Sequence, residues 1–131
     1  MAGLEEIRTG LQPIWATHSF VEAVWIFGSV ATGKNQPDSD VDVAVLCAGP
    51  LTLAQEGELV SHIMGALRRN DVDCVNMELA PPFLQFRILR DGVLVLDRNP
   101  VRRVSFTARA WSTYFDLQPA LDTYYGLTRA R

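Results

Sequence analysis

Two aspartates, Asp40 and Asp42, stand one residue apart in a stretch where valines occupy positions 41, 43 and 45. This alternation predicts a β-strand, and side chains two residues apart leave the same face with Cα atoms roughly 7 Å apart. Ionised carboxylates that close repel each other unless a divalent cation neutralises them. Because Mg²⁺ favours carboxylate, phosphate and water oxygens, the pair predicts a site for two Mg²⁺ ions that serve in-line phosphoryl displacement.

The second part of the predicted site is Gly28-Ser29, which follows the apolar run Val24 to Phe27. Glycine has no Cβ, so its backbone can come close to a phosphate. The Ser29 hydroxyl and the backbone N–H groups of the next turn can bind phosphate oxygens. Gly33 is expected to supply a turn with positive φ. We therefore predict a nucleotide-binding loop at Gly28 and Ser29, next to a strand that binds the metal ions.

Neither part is specific alone, because half-buried strands often have Asp at alternate solvent-facing positions. The combination is specific: an apolar strand, Gly-Ser, ten residues, then Asp-x-Asp inside a second apolar strand. The run FGSVATGKNQPDSDVDVAVL resembles the defining motif of the DNA polymerase β-type nucleotidyltransferase superfamily. It is closest to the minimal nucleotidyltransferases, the antitoxin partners of HEPN-domain toxins. The resemblance covers nearly the whole chain, since VDCVNMELAPPFLQFRILRDGVLVLDR is similar to the family's third strand, helix and fourth strand.

The resemblance implies a polymerase β-like fold and an activity. Members of this family are Mg²⁺-dependent nucleotidyltransferases that transfer AMP from ATP to a tyrosine of a HEPN ribonuclease toxin and bind that toxin in a hetero-oligomer. It implies that Asp40 and Asp42 are catalytic metal ligands and that no direct DNA binding occurs. The residues alone predict only nucleotidyl transfer.

The family also implies a third metal-site carboxylate on the third strand. Asp71 and Asp73 are the candidates, and we favour Asp73 because it lies inside an apolar run, where an unpaired Asp would be costly to bury. Asp71 is expected in the turn before that strand. Glu78 is a remote alternative, since some superfamily members use Glu here. Asp73 is also expected to help deprotonate the attacking hydroxyl.

Two other functions remain open. The first is an antitoxin without catalysis that only binds and blocks its toxin; the third carboxylate argues against it. The second is a nucleotidyltransferase for a small molecule such as an aminoglycoside, which would need a further subunit to enclose its substrate.

The chain is predicted to be one domain, residues 1–131, with a core at about 20–98 and a helical region at about 100–125. Helices and strands alternate, which predicts an α/β sandwich on a small mixed sheet flanked by helices. Helices are predicted at 4–18 with a kink or restart at Pro13, and after Ser29 for one turn. Further helices are predicted from a Thr52/Gln55 capping box to a last turn closed by Arg68, Arg69 and Asn70, at 82–90, and from Pro100 to about Tyr125. Strands are predicted at 24–27, 41–45, 72–78 and 93–96.

The last helix carries many aromatic residues. Val104, Ala108, Trp111 and Phe115 have helical spacing and are predicted to cover the sheet. Core packing and partner binding both remain open for the tyrosines, which are Tyr114, Tyr124 and Tyr125.

The chain also carries isolated basic residues and two isolated histidines. Lys34 and Arg87 could contact phosphate, but we expect solvated side chains at both positions, and likewise at Arg90. His18 and His62 have no His or Cys at metal-ligand spacing, so a structural role is predicted for both.

Composition is that of a globular protein, with 131 residues, 48% hydrophobic content and net charge -3. The charge is uneven: residues 1–83 hold 4 Lys/Arg and 11 Asp/Glu, whereas residues 84–131 hold 8 Arg and 4 Asp. This division fits a metal and phosphate site, a charged partner surface, or a mixed surface without a special role. No apolar run of membrane-spanning length and no signal peptide is evident, so we expect a cytoplasmic protein with two free, buried thiols, Cys47 and Cys74.

Overall fold

A computed structural model of the chain, which describes residues 3–34, 39–124 and 126, contains a mixed four-stranded sheet with helices on both faces. The helices are α1 (Leu4–Thr17), α2 (Ser29–Thr32), α3 (Leu53–Leu67), α4 (Pro82–Asp91) and α5 (Pro100–Tyr124). The strands are β1 (Val21–Phe27), β2 (Val41–Cys47), β3 (Val72–Asn76) and β4 (Val93–Asp97). The predicted alternation of helices and strands and the mixed sheet are confirmed.

The strand order is β3-β2-β1-β4. Strand β1 pairs antiparallel with both β2 and β4, and β2 pairs parallel with β3. The parallel pair needs a crossover, which α3 supplies. The loop that carries Gly28 therefore lies at the same end of the sheet as the first residues of β2 and β3.

Two apolar layers sandwich the sheet. On one face, β2 contributes Val41, Val43 and Val45 to a core that includes Ile7 of α1 and Ile63 of α3. On the other face, Ala44 and Leu46 pack in a core that is closed by Ile88 of α4 and by Phe106 and Ala110 of α5. The alternation of β2 sends its odd-numbered residues to the first layer. Asp42 consequently shares a face with the layer that α4 and α5 cover.

The capping box predicted at the start of α3 is present. The Thr52 side chain accepts from the backbone N–H of Gln55, and the Gln55 side chain accepts from the backbone N–H of Thr52, which completes a capping box. Arg68 ends the helix in the left-handed conformation. Helix α1 continues through Pro13, so the helix does not restart there.

The buried face of α5 differs from the prediction. Phe106 and Ala110 are buried, whereas Val104 and Phe115 are each 55% exposed and Trp111 is 39% exposed. Helical spacing gives α5 more than one apolar stripe, and packing against the sheet selects one of them. The other stripe forms an aromatic cluster with Phe86 of α4, in which the Phe86 and Tyr114 rings stack 4.1 Å apart. Tyr124 is exposed, and Tyr125 lies outside the described residues.

Both cysteines are free thiols, with Cys47 buried and Cys74 half-buried. Burial raises the pKa of Cys47 to about 11 and that of Cys74 to about 12. Both sulfurs are thus protonated at neutral pH and chemically quiet. Within the described ranges, no helix is both long and apolar enough to cross a bilayer.

Candidate active site

Strand register brings two of the predicted acidic residues together. Asp42 pairs with Phe27 of β1 on one side and with Asp73 of β3 on the other. Neighbouring strands lie about 4.8 Å apart, so residues in register have adjacent side chains on one face. Asp40 is exposed and comes one residue before β2 begins, rather than inside the strand. Asp42 is therefore the centre of the acidic cluster formed by Asp40, Asp42 and Asp73.

Mutual repulsion and partial burial disfavour ionisation at the centre of this cluster. The pKa of Asp42 is raised from 3.8 to about 6, first by burial and then by the negative charges of Asp73 and Asp40. A hydrogen bond between the Asp42 and Asp73 side chains acts in the same direction. A divalent cation would remove this penalty, and the all-oxygen donor set suits Mg²⁺. The residues present thus fit the metal that the sequence predicts.

Gly28 is required by two independent constraints. Its backbone has φ 75° and ψ -151°, a region that essentially only glycine occupies. A Cβ at this position would lie 2.2 Å from Oδ2 of Asp42, closer than real Cβ contacts. The Asp42 carboxylate therefore packs directly on the Gly28 backbone. The Gly-Ser loop and the acidic cluster are parts of one site.

The loop after Gly28 folds as the single helical turn that the sequence predicts. Helix α2 begins at Ser29 and ends at Thr32, and Gly33 caps it with a φ of 74°, the expected left-handed value. The backbone N–H of Lys34 donates to the Ser29 carbonyl at 2.9 Å, which closes the turn. Ser29 is half-buried beside Gly28, while the Lys34 side chain is exposed. Ser29 thus stays beside the Gly28 backbone, whereas the Lys34 side chain lies in solvent.

The other acidic candidates have different partners. Asp71 forms a bidentate ion pair with Arg69, and this hydrogen bonding lowers the pKa of Asp71. Arg69 also donates to the Ser39 carbonyl, so the pair fixes the chain just before Asp40. Glu78 accepts from two arginines of α5 and lies away from the cluster. The sequence argument for Asp73 is that an unpaired Asp inside an apolar run is costly to bury, and this argument is wrong because Asp73 is exposed. Its register with Asp42 places it in the cluster.

A cleft of about 290 Å³ opens beside the acidic cluster. It lies between the end of β1 and α4, and its lining residues are Phe27, Gly28, Thr32, Asp42, Leu84, Arg87 and Asp91. Arg87 was expected to be a solvated side chain, yet it contributes to the wall of this cleft. Arg87 lies three residues after Leu84 and four before Asp91, so all three share one face of α4. This spacing is the sequence signal that could have predicted its position. Among the described arginines of the basic half, Arg102, Arg103 and Arg109 form ion pairs within the fold.

A protein-family model described as "Polymerase beta, Nucleotidyltransferase" matches residues 10–101. The chain belongs to this nucleotidyltransferase family. The match covers all four strands and the three residues of the acidic cluster. Family membership, like the fold, is thus confirmed as the sequence predicts.

Individual relatives agree with this assignment. The chain is 32% identical over 72 residues to the protein adenylyltransferase MntA of Shewanella oneidensis, which covers 55% of this chain and 51% of the relative. The chain thus aligns with about half the length of that relative. A toxin–antitoxin crystal structure with AMP-PNP superposes with a TM-score of 0.79 at 23% identity, covering 91% of this chain and 95% of the other. A complex of tri-AMPylated Shewanella oneidensis HEPN toxin with MNT antitoxin gives 0.75 at 21% identity, covering 93% and 95%. At these identities the two structures show a shared fold.

Proposed function

We propose that this protein is a Mg²⁺-dependent protein adenylyltransferase that acts as the antitoxin of a HEPN toxin. The observation that carries the proposal is the convergence of Asp42 and Asp73, with Asp40 beside them, next to the Gly28 backbone. The similarity to the protein adenylyltransferase MntA, to a toxin–antitoxin structure with AMP-PNP and to an MNT antitoxin complexed with an AMPylated toxin supports an adenine nucleotide as donor and the toxin as acceptor. The choice of a tyrosine on the toxin rests on the family resemblance of the sequence.

The three carboxylates would hold two Mg²⁺ ions, which when bound supply positive charge to the triphosphate and to the leaving pyrophosphate. Gly28 lets the backbone approach the phosphates, and Ser29 offers its hydroxyl and backbone N–H to them. Arg87, on the opposite wall of the cleft, is placed to bind a phosphate oxygen. These groups orient the α-phosphate toward solvent, where an acceptor on another protein can reach it.

The transfer breaks one bond and forms one bond. The acceptor hydroxyl oxygen attacks the α-phosphorus of ATP, and the bond from that phosphorus to the oxygen bridging the α- and β-phosphates breaks. Pyrophosphate departs and AMP remains on the acceptor oxygen. Asp73, exposed at the mouth of the site, accepts the hydroxyl proton.

The decisive experiment requires a HEPN-domain toxin as the acceptor, which is first sought among the genes next to the one that encodes this chain. That protein is incubated with the purified chain and Mg-ATP and then analysed by intact-mass spectrometry. We expect mass increases of whole AMP units with the natural chain and none with Asp42→Asn. Glu6→Gln, which converts an exposed carboxylate on α1 to an amide, serves as the control and should transfer normally. Unchanged mass with the natural chain would contradict adenylyl transfer to this partner.

One observation favours a second function, blockade of the toxin by binding alone. The aromatic cluster on α4 and α5 leaves Phe115 55% exposed and Trp111 39% exposed, and exposed aromatic side chains are favoured at interfaces. In a growth assay, Asp42→Asn should then still neutralise the toxin, whereas Phe115→Ala should not. The opposite pattern identifies transfer as the neutralising event.

A further inference from the structure

Three metal-ligating side chains meet at the other end of β1. Nε2 of His18, in the turn after α1, lies 2.8 Å from Nδ1 of His62 on α3. Glu58 lies one helical turn before His62, which puts the two on the same face of α3. One ligand atom from each of these three residues lies within 4.8 Å of the others. We call this group the histidine cluster.

The cluster is held in place by the surrounding fold. His18 is 3% exposed, and its ring packs edge-on against Phe20 with centroids 5.5 Å apart. The guanidinium of Arg98 donates to the carbonyls of His18 and Val21, at 3.1 Å each, and to that of Trp15. Because these bonds fix the backbone on both sides of His18, its imidazole is already oriented toward α3. A ligand fixed in this way loses little freedom when it binds an ion.

From this geometry we infer that His18, Glu58 and His62 form a binding site for Zn²⁺, distinct from the acidic cluster. Two imidazoles and one carboxylate are a ligand set that zinc uses, with a fourth position left for water. Tetrahedral zinc with Zn–N bonds of about 2.0–2.1 Å separates its nitrogen ligands by about 3.3 Å. The His18 and His62 nitrogens need to move apart by only a fraction of an ångström to reach that separation.

The chemistry of the cluster selects against Mg²⁺. Magnesium requires oxygen ligands in octahedral geometry, whereas imidazole nitrogen suits zinc and the later transition metals. Burial lowers the pKa of His18, with the neighbouring His62 acting in the same direction. The two cation sites of this chain thus differ in the metal that they prefer.

Zinc at this position would join two parts of the fold. His18 follows the last residue of α1, and Glu58 and His62 lie in the middle of α3, so an ion would tie α1 to α3 over the first apolar layer. Binding to the folded chain alone raises its stability by mass action. The role we assign to the site is stabilisation of this layer, at a distance from the acidic cluster.

The test measures zinc directly in a chain whose acidic cluster has been removed. Asp40, Asp42 and Asp73 are all changed to Asn, so that the cluster at the other end of β1 cannot bind the added metal. Zinc content after equilibrium dialysis is measured by elemental analysis, and Co²⁺ replaces Zn²⁺ in a parallel sample for visible spectroscopy. We expect one zinc ion per chain and the intense visible bands of four-coordinate Co²⁺.

His62→Gln and Glu58→Gln are then introduced separately, with Glu6→Gln as the matched control. Glu58, His62 and Glu6 are all exposed, so these changes leave the apolar core intact. We expect each cluster variant to lose zinc affinity by at least about tenfold, while the control keeps it. In excess EDTA, Glu58→Gln and the control should melt at similar temperatures, whereas His62→Gln can melt lower because it removes the hydrogen-bond partner of the buried His18. Only chains with an intact histidine cluster should gain several degrees when zinc is added.

Two results would overturn the inference. One is equal zinc affinity in His62→Gln, Glu58→Gln and the control, which would place the ion elsewhere. The other is no zinc retained by any chain, which would leave His18 and His62 as a hydrogen-bonded pair only. Neither result depends on nucleotidyl transfer, so the zinc site and the proposed function stand or fall separately.

Discussion

The acidic cluster and the histidine cluster lie at opposite ends of β1, a strand of seven residues, roughly 23 Å long. The acidic cluster brings together residues of neighbouring strands through their register, and its like charges repel one another unless a cation neutralises them. The histidine cluster joins a turn to a helix, and its two imidazoles already satisfy each other by a hydrogen bond. The comparison teaches that one small fold can hold like charges close together at one end of a strand and a hydrogen-bonded imidazole pair at the other.

The largest effect is expected from Asp42→Asn on nucleotidyl transfer. Loss of the central carboxylate removes several kcal/mol of charge stabilisation in the transition state, and about 4 kcal/mol corresponds to a roughly 10³-fold slower reaction. The rate is measured with saturating Mg-ATP and the HEPN partner. A loss of less than tenfold would mean that Asp42 is not the centre of the site.

Gly28→Ala tests whether the acidic cluster depends on close packing against the loop. We expect a loss of about 3 kcal/mol in the free energy of unfolding, because the backbone strain adds to the clash with Asp42. Gly33→Ala is the matched comparison, since Gly33 also has positive φ but open space around the added Cβ. Gly33→Ala should lower the free energy of unfolding by only about 1 kcal/mol. Urea unfolding of both variants checks the difference, and equal losses would refute the packing argument.

Arg87→Ala asks whether the cleft wall takes part in nucleotide binding. Removing a charged contact to phosphate should raise KM for ATP by about tenfold, equivalent to about 1.4 kcal/mol, with a smaller change in kcat. Arg90→Ala is the control, since Arg90 lies on the same helix but pairs with Asp91. Steady-state kinetics with both variants decide the point. Equal KM values in the two would remove Arg87 from the site.

The smallest effect concerns the stability of the metal-free chain. The raised pKa of Asp42 means that the folded state binds its proton more tightly than the unfolded state does. This carboxylate therefore destabilises the metal-free fold above about pH 6, and the penalty disappears as pH falls below 3.8. At pH 8 in EDTA, Asp42→Asn should raise the free energy of unfolding by about 1 kcal/mol. This is less than the full pKa difference corresponds to, because solvent screens part of the interaction.

The same measurement at pH 4 supplies the control for Asp42→Asn, since the gain should shrink there. Glu58→Gln gives the matching result for the histidine cluster, where the carboxylate faces two imidazoles and not other carboxylates. Its stability in EDTA should change by less than about 0.5 kcal/mol. A gain as large as that of Asp42→Asn would erase the electrostatic difference between the two clusters.

Much of this molecule was predictable because its signals are local. The valine alternation around Asp42, the capping box at Thr52 and the turn glycine at Gly33 each act within a few residues, and the structure has all three. Motif spacing also identified the family. The buried face of α5 was not predictable in this way, since two apolar stripes compete for the sheet and only three-dimensional packing chooses Phe106 over Trp111.

The sequence by itself determined the strand that carries Asp42, the glycine beside it and the order of helices and strands, because backbone preference and side-chain alternation are properties of short segments. The sequence also favours Asp73 over Asp71, but only the tertiary structure shows that strand register is what brings Asp73 to Asp42. The tertiary structure also decided that Arg87 faces the cleft and that His18 meets His62, 44 residues away. These contacts depend on strand register and helix docking, which the whole apolar core fixes at once.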